Sequence, residues 1–297
     1  MLTYNREALV GRAIQSILAQ TFTDFEYIIV NNGSCDNSGV IAEEYAARDK
    51  RISVIHRKRG SIGSGRNTAM NAARGEYIAF VDDDDWCEPD FLEFLYNLAI
   101  ENSADVSICG ATDKAFDEKL IMNAEEAVIE LLWRRRYNMA FPTKLFSQTL
   151  FSQISFPEGD KYDDITQMHR LLALANIVVY HGLPKYTFYR HDNNNSAWTT
   201  NHELLDAETL DEYLKAYRKR TEWLSELFPN SINDWRYFEW SFMISMVEKI
   251  VRLNITSCRS QLKAMIKELY EHREEFLEYG PVLEFEKEWM KLYVKNI

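Results

Sequence analysis

Two rhythms of apolar and polar positions alternate along the first hundred residues. Val10, Ile14, Ile17 and Leu18 recur at helical spacing, and the run 25–30 (FEYIIV) is a short apolar stretch ending at Asn31-Asn32-Gly33-Ser34. Ile41, Ala42 and Tyr45 fit a second helix, residues 52–55 (ISVI) a strand, and residues 66–73 a helix that Gly75 ends. Residues 77–81 (YIAFV) form a third strand, stopped by four aspartates. Pro89 stands where a first helical turn tolerates it, ahead of Phe91, Leu92, Phe94, Leu95 and Leu98, and residues 106–109 read as a fourth strand. Continuous apolar strands alternating with amphipathic helices predict an α/β fold, with a mostly parallel sheet sandwiched by helices. Ligands of such sheets sit at the carboxyl ends of the strands. The Asn31-Asn32 turn and the aspartates at 82–85 both follow strands directly, so both are expected to face one crevice.

The beginning of the chain breaks this rhythm. A sheet of this kind opens with a strand feeding the first helix, yet only Met1-Leu2-Thr3 precede Tyr4-Asn5-Arg6-Glu7. The first strand is expected to be nearly absent, either because the recorded start is late or because an element has been lost from the middle of the sheet. An uncovered central position leaves backbone donors and acceptors unpaired on its neighbours. Residues 111–200 are less regular. They hold a helical stretch at 127–133, Phe141-Pro142, Phe156-Pro157, a buried-looking run at 171–180 and a polar tail at 190–196. Later positions turn to long helices: Met243, Ile244, Val247, Ile250 and Val251, then Leu262, Met265, Ile266, Leu269 and Tyr270, keep helical spacing. Residues 203–297 read as a helical appendage.

Charge narrows the classes of partner. The 297 residues carry 34 Lys+Arg against 46 Asp+Glu, a net charge of −12. That balance argues against nucleic acid, which wants a basic face, but not against a small anion held through a metal ion. Cys35, Cys87, Cys109 and Cys258 lie far apart with no CxxC pair, which points to a reduced, cytoplasmic setting. No signal peptide is visible, and the longest uncharged apolar run, 171–180, is about half of the roughly 20 residues a membrane span needs. Attachment to a membrane surface stays open.

Three clusters carry candidate chemistry. Asp82-Asp83-Asp84-Asp85 at a strand end repel one another unless solvated or bound to a hard cation; Mg²⁺ or Mn²⁺ takes such oxygen ligands together with substrate phosphates. The plainer reading is an acidic loop favoured by the dipole of the next helix. Asp163-Asp164 stand before a helix at 165–175 and read either as a cap or, near a metal-bound diphosphate, as a source of a general base. Gly60-Ser61-Ile62-Gly63-Ser64-Gly65-Arg66-Asn67 can cradle an anion at a helix N-terminus, with Arg66 pairing to phosphate, although it is neither a Walker loop nor a dinucleotide fingerprint.

In order, these pieces resemble the family 2 glycosyltransferases of the GT-A nucleotide-diphospho-sugar transferase fold. The resemblance covers about residues 1–200. It is carried by Thr3-Tyr4-Asn5-Arg6, Ser16-Ile17-Leu18-Ala19-Gln20-Thr21-Phe22, the Asn31-Asn32-Gly33-Ser34 turn, Gly65-Arg66-Asn67 and Phe80-Val81-Asp82-Asp83-Asp84-Asp85-Trp86. Phe156-Pro157-Glu158, Tyr162-Asp163-Asp164 and Tyr189-Arg190-His191 complete it. The resemblance implies a nucleotide-sugar-binding half at 1–110, an acceptor-binding half at 111–202 and the helical region at 203–297. It implies that Thr3 and Tyr4 line the nucleobase pocket, that Asn32 takes the place of the Asp that reads the base, and that Arg66 approaches the nucleotide. Asp82-x-Asp84 matches the DXD motif, with Asp84 the metal ligand and Asp82 and Asp83 toward the ribose or sugar. Asp164 matches the catalytic base, Asp163 takes the place of a Glu, and His191 lies where some members bring a side chain to the diphosphate or metal. The implied cofactors are Mg²⁺ or Mn²⁺ and a nucleotide-diphospho-sugar, a UDP-sugar first.

The implied activity is inverting transfer of a sugar to a hydroxyl of a saccharide or lipid-linked acceptor, in synthesis of a bacterial-type surface polysaccharide. Two departures matter: the usual Asp-Asp-Gly-Ser turn is Asn31-Asn32-Gly33-Ser34, and the first strand is short. They keep a second reading in place, a weakened or inactive relative acting as a binding partner. Trp223, Trp235, Trp240 and Trp289 in the C-terminal helices read as packing, or as peripheral contact with the inner face of the plasma membrane, against which the acidic stretch 271–278 speaks.

Overall fold

The computed structural model of the protein describes residues 1–159, 163–191, 194 and 201–295. The chain forms two compact units, Met1–Tyr189 and Arg190–Ile297. The first begins with β1 (Leu2–Thr3), α1 (Val10–Leu18), β2 (Tyr27–Asn31), α2 (Ser38–Ala46), β3 (Ile52–His56) and α3 (Ile62–Ala72). It continues with β4 (Tyr77–Ala79), β5 (Trp86–Cys87), α4 (Phe91–Glu101), β6 (Val106–Ala111), β7 (Lys119–Met122) and α5 (Ala124–Trp133). β8 (Lys144–Ser147), α6 (Asp163–Leu174) and β9 (Val178–Thr187) complete it. The buried-looking run at 171–180 is therefore two elements, the end of α6 and the start of β9. The boundary expected at residue 110 falls inside β6.

Helix α1 forms because Val10, Ala13, Ile14 and Ile17 fall on one face and are buried in the core with Tyr27, Ile29, Phe91 and Leu95. Burying each large aliphatic side chain there contributes about 1.5–3 kcal/mol. Helix α3 starts at Ser61, whose hydroxyl accepts from Ser64 N–H at 3.1 Å. Asn123 opens α5 with a reciprocal capping box to Glu126.

β1, β2 and β3 form a parallel three-stranded sheet, with Leu2 opposite Val30, Thr3 opposite Asn31 and Asn31 opposite His56. The other strands form a second sheet in the order β4-β8-β6-β9-β5, with β7 on β9. There only β6 and β9 run parallel; β4–β8, β6–β8, β5–β9 and β7–β9 are antiparallel. The mostly parallel arrangement that was expected is complete in the first sheet, while the second is mixed. The antiparallel strands β5, β7 and β8 have only two to four residues, too few to show a period in the sequence. β1 pairs with β2 but not with β4, so the ladder is interrupted at the short first strand, as expected.

The second unit holds α7 (Ala207–Leu227), α8 (Ile232–Arg252), α9 (Arg259–Glu271), α10 (Arg273–Glu278) and α11 (Glu284–Tyr293). Its centre is α8, where Trp235, Tyr237, Met243, Ile244, Val247 and Ile250 are buried; Met265 and Leu269 of α9 and Met290 of α11 are buried too. Val251 and Tyr270, placed on these stripes by spacing, are exposed. Trp235 and Trp240 are buried within this unit, and Trp235 donates to Phe228 O at 3.1 Å. Among the described residues, no helix is long and apolar enough to cross a membrane.

Candidate active site

The loops at the carboxyl ends of β2 and β3 are joined to each other. Gly33 has φ +80°, and a Cβ on it would lie 2.5 Å from Arg59 N, so glycine lets the 31–34 turn close on the loop after β3. Asn32 donates to Gly60 O at 2.9 Å and accepts from Gly60 N–H at 3.3 Å. Asn31 Oδ1 accepts from Ser34 N–H at 3.0 Å, and its amide nitrogen lies 3.0 Å from His56 Nδ1; His56 Nε2 is 2.8 Å from Glu43. A carboxamide both donates and accepts, whereas a carboxylate at 32 could not donate to Gly60 O. That difference gives the Asn-Asn departure a structural role.

Thr3 is fully buried and stands opposite Asn31. Tyr4 N–H donates to Asp83 Oδ2 at 3.2 Å, and the Arg59 guanidinium lies 4.5 Å from the centre of the Tyr4 ring. Arg59 ends the basic run Arg57-Lys58-Arg59, which sequence reasoning passed over. Three cations in a row after a strand, in an acidic chain, were the signal for it.

The four aspartates divide into different environments. Tyr186 OH accepts from Asp82 N–H at 3.1 Å and donates to Asp85 Oδ2 at 2.8 Å, while Tyr189 N–H donates to Asp85 Oδ1 at 2.7 Å. Asp85 is thus held inward as a structural acceptor. Arg6 Nε lies 3.8 Å from both Asp83 Oδ1 and Asp84 Oδ2. Arg12 donates to the Asp84 carbonyl at 2.5 Å and stacks against Trp86 and Tyr189. Burial pushes the Asp82 carboxyl up to about 6; Arg66 opposes the rise, and Asp84 and Asp164 add to it. Burial likewise lifts Asp83 to about 7, against the Thr3 hydroxyl and Arg6, and Asp85 to about 7.

Arg66 connects this run to the second acidic pair. Its guanidinium donates to Asp163 Oδ1 in the first turn of α6, and packs 4.5 Å from the centre of the Phe141 ring, with Phe80 and Phe156 alongside. Asn67 exchanges bonds of 2.9 Å with the main chain of Phe156. Burial raises the Asp164 pKa, Arg66 opposing and Asp163 adding, and Ile165 N–H donates to Asp164 Oδ1 at 2.9 Å. Arg66 therefore links the two acidic runs through geometry: it pairs with Asp163 and lies 5.8 Å from the centre of the Phe80 ring, two residues before Asp82.

The glycine-rich loop has a packing role that its sequence did not disclose. A Cβ on Gly63 would lie 2.2 Å from Pro157 O, and one on Gly65 2.3 Å from Leu2 Cδ1. These glycines let α3 approach β1 and the 156–157 segment closely, which seats Arg66.

His191 belongs to the second unit, where its N–H donates to Asn194 Oδ1 at 2.6 Å. Asp160, Lys161, Tyr162, Asp192, Asn193, Asn195 and Ser196 lie outside the described residues.

Among the described residues, no three His, Cys, Asp or Glu side chains form a ready-made metal cage. A divalent ion shared with a diphosphate needs only one or two protein carboxylates, however. Burial is the main cause of the raised pKa values of Asp82 and Asp83, with neighbouring carboxylates adding to it, and hard carboxylate oxygens suit Mg²⁺ or Mn²⁺. The residues present fit such an ion.

The family model for glycosyl transferase family 2 matches residues 1–159, more than half of the chain. The chain belongs to that family. Glycosyltransferase GlyA of Streptococcus pneumoniae serotype 4 is 28% identical over 253 residues, which take in 74% of this chain and 36% of GlyA; the chain thus spans about a third of that relative. Among solved structures, S. aureus TarS 1-349 in complex with UDP-GlcNAc superposes with a TM-score of 0.64 at 18% identity, covering 92% of this chain and 90% of that one. The mannosyltransferase PcManGT from Pyrobaculum calidifontis, in complex with GDP-Man and Mn²⁺, gives 0.57 at 14% identity over 99% of this chain and 83% of that one. At these identities the likeness establishes the fold, and this family 2 chain has the α/β GT-A fold followed by a helical region.

Proposed function

We propose that the chain is an inverting glycosyltransferase that moves a sugar from a nucleotide-diphospho-sugar, a UDP-sugar first, to a hydroxyl of a saccharide or lipid-linked acceptor in bacterial-type surface polysaccharide synthesis. The observation that carries the reading is the Arg66–Asp163 ion pair, which ties α3, with Arg66 lying by Phe80 just before the aspartate run, to the first turn of α6 that carries Asp164. The complexes of TarS with UDP-GlcNAc and of PcManGT with GDP-Man and Mn²⁺ support a nucleotide-sugar donor and a divalent ion. The weakened-relative reading loses its support: β1 is short, yet Thr3 pairs in register with Asn31, Tyr4 is bonded to Asp83, and the Asn32 amide is paired.

Thr3, Tyr4 and Asn32 form the base side of the pocket, and the basic run at 57–59 faces the diphosphate. Asp84, with Asp82 and Asp83 beside it, would hold the ion, which supplies charge to offset the departing nucleoside diphosphate. Arg66, beside Asp163, keeps positive charge on the same side of the crevice. Asp164 accepts the proton of the acceptor hydroxyl as the new bond forms; its raised pKa makes it a stronger base than an exposed carboxylate. His191 is proposed as a contact of the diphosphate or metal on the family resemblance alone. Residues 1–110 serve the donor, residues 111–202 the acceptor, and residues 203–297 the helical region. That region reads first as packing, since Trp235 and Trp240 are buried, with peripheral contact to the inner face of the plasma membrane as the alternative for a cytoplasmic enzyme with a lipid-linked acceptor.

The test is a panel of UDP-, GDP- and TDP-sugars with Mn²⁺ or Mg²⁺, scored for donor hydrolysis and transfer. Asp164→Asn should lower turnover about 100-fold to 10,000-fold while keeping donor affinity. Unchanged turnover in that variant removes Asp164 as the base.

A further inference from the structure

Lys144 is fully buried, and its bonds are to the main chain: its ammonium donates to Asn138 O at 3.0 Å and to Ala140 O at 2.7 Å. Both carbonyls belong to the segment between α5 and β8. Burying an ammonium without a contacting anion is costly, and the cost is accepted only where its donors satisfy groups that would otherwise be orphaned. A second cost sits next to it. Thr143 has φ 76°, a conformation that a β-branched residue rarely adopts, and it too is buried. Its carbonyl accepts from Cys109 N–H at 2.9 Å, which ties the strained residue to β6.

What this turn presents is Phe141. The ring is fully buried, is the nearest of three phenylalanines to the Arg66 guanidinium, and packs against both of the others, Phe80 at 4.9 Å and Phe156 at 5.3 Å between centroids. Arg66 in turn holds Asp163, one residue from Asp164.

We propose that Lys144 is a positioning residue for glycosyl transfer: it holds the 138–143 turn in its strained form, seats Phe141 beneath Arg66, and so fixes the first turn of α6 that carries Asp164. The inference rests on Asp164 being the proton acceptor. Asp164 lies within electrostatic reach of Lys144, where it partly offsets the effect of burial, which brings the lysine down to about 7. The latch does not depend on that titration, because a neutral amine still has two N–H groups for the two carbonyls. A methionine at 144 would fill the space and leave both carbonyls unpaired, whereas arginine keeps donors there.

The test uses the full chain with whichever donor the wild type turns over. Phe141→Leu and Lys144→Met should lower kcat by about tenfold or more, the scale on which a misplaced catalytic group is felt, while donor Kd stays within about twofold. Lys144→Arg should recover part of kcat. Thr143→Gly accommodates the φ of 76° without strain and should raise the melting temperature. Should Lys144→Met fail to fold, Phe141→Leu decides. A folded Phe141→Leu protein with wild-type kcat overturns the proposal, and so does a loss that follows donor affinity alone. A wild type that turns over no donor sinks the transferase reading instead. The positioning claim is then read from a crystal structure of Phe141→Leu, where an Arg66 still seated on Asp163 overturns it and a displaced Arg66 supports it.

Discussion

Arg66 and Asp163 form an ion pair across 97 positions of sequence, and that pair links α3 to the first turn of α6. Both side chains are largely buried, at 14% and 3% exposure, and Asp163 Oδ2 is buried with no hydrogen-bond partner among the described residues. The pair therefore has little solvent to fall back on. Removing one partner of a buried pair leaves an uncompensated charge, which costs about 3–5 kcal/mol. Arg66→Gln should destabilise the protein on that scale, and the Arg66→Gln/Asp163→Asn double variant should lose less than the two single variants together. Urea denaturation of the three variants measures the coupling; strictly additive losses would show that the pair is not a unit.

The aspartate run should make the metal-free protein less stable as pH rises. The folded-state values of about 6 for Asp82 and about 7 for Asp83 and Asp85 lie above the roughly 3.9 of an unfolded aspartate, so the folded state binds protons more tightly. The stability these protons bring is complete below about pH 4 and is lost as pH rises through 6 to 7. Melting temperatures in EDTA should fall across that window, and Asp83→Asn should flatten part of the fall. Mn²⁺ with UDP should raise the melting temperature most at pH 8, where the carboxylates no longer hold protons. A wild-type profile that climbs through the same window would contradict this account.

The elements that repeat a period over two turns or more were legible in the sequence: α1, β2, β3, α3, α4 and the long C-terminal helices. The acidic run at 82–85 and the pair at 163–164 were legible as chemistry because like charges in sequence need a reason. What was not legible depends on distance in sequence. Gly63 and Gly65 look like an anion loop until Pro157 and Leu2 are found within a methyl group of them. Arg66, expected at the nucleotide, is paired to Asp163 and enclosed by Phe80, Phe141 and Phe156, which come from three separate segments. Lys144 stands in an apolar stretch between Phe141-Pro142 and Leu145-Phe146; that oddity was visible, but its two carbonyl partners were not.

Asn32→Asp restores the usual acid of the family to this turn and should nevertheless cost stability. The amide nitrogen donates to Gly60 O, and a carboxylate would instead face that carbonyl with its own charge. Gly60 N–H would still have an acceptor, so the loss is one bond plus a repulsion, about 1–3 kcal/mol. A lower melting temperature in the variant checks this, and a higher one would mean that the 57–60 loop re-forms around the acid.

Arg59 offers the cleanest separation of base and phosphate contacts in the proposed donor pocket. It is exposed and rests on Tyr4, and it makes no hydrogen bond or ion pair among the described residues. Its removal should therefore cost about 0.5–1 kcal/mol of stability, the worth of its exposed contact with the Tyr4 ring. A guanidinium over an aromatic face contributes about 0.5–2 kcal/mol, so Arg59→Ala should weaken UDP binding by about twofold to thirtyfold. Titrating UDP and uridine against the same variant separates two causes. If Arg59 sandwiches the base against Tyr4, both ligands lose affinity equally. If it meets the diphosphate, only UDP does, and the salt dependence of UDP binding falls with it. Equal affinities of wild type and variant for UDP would leave Arg59 without a part in donor binding.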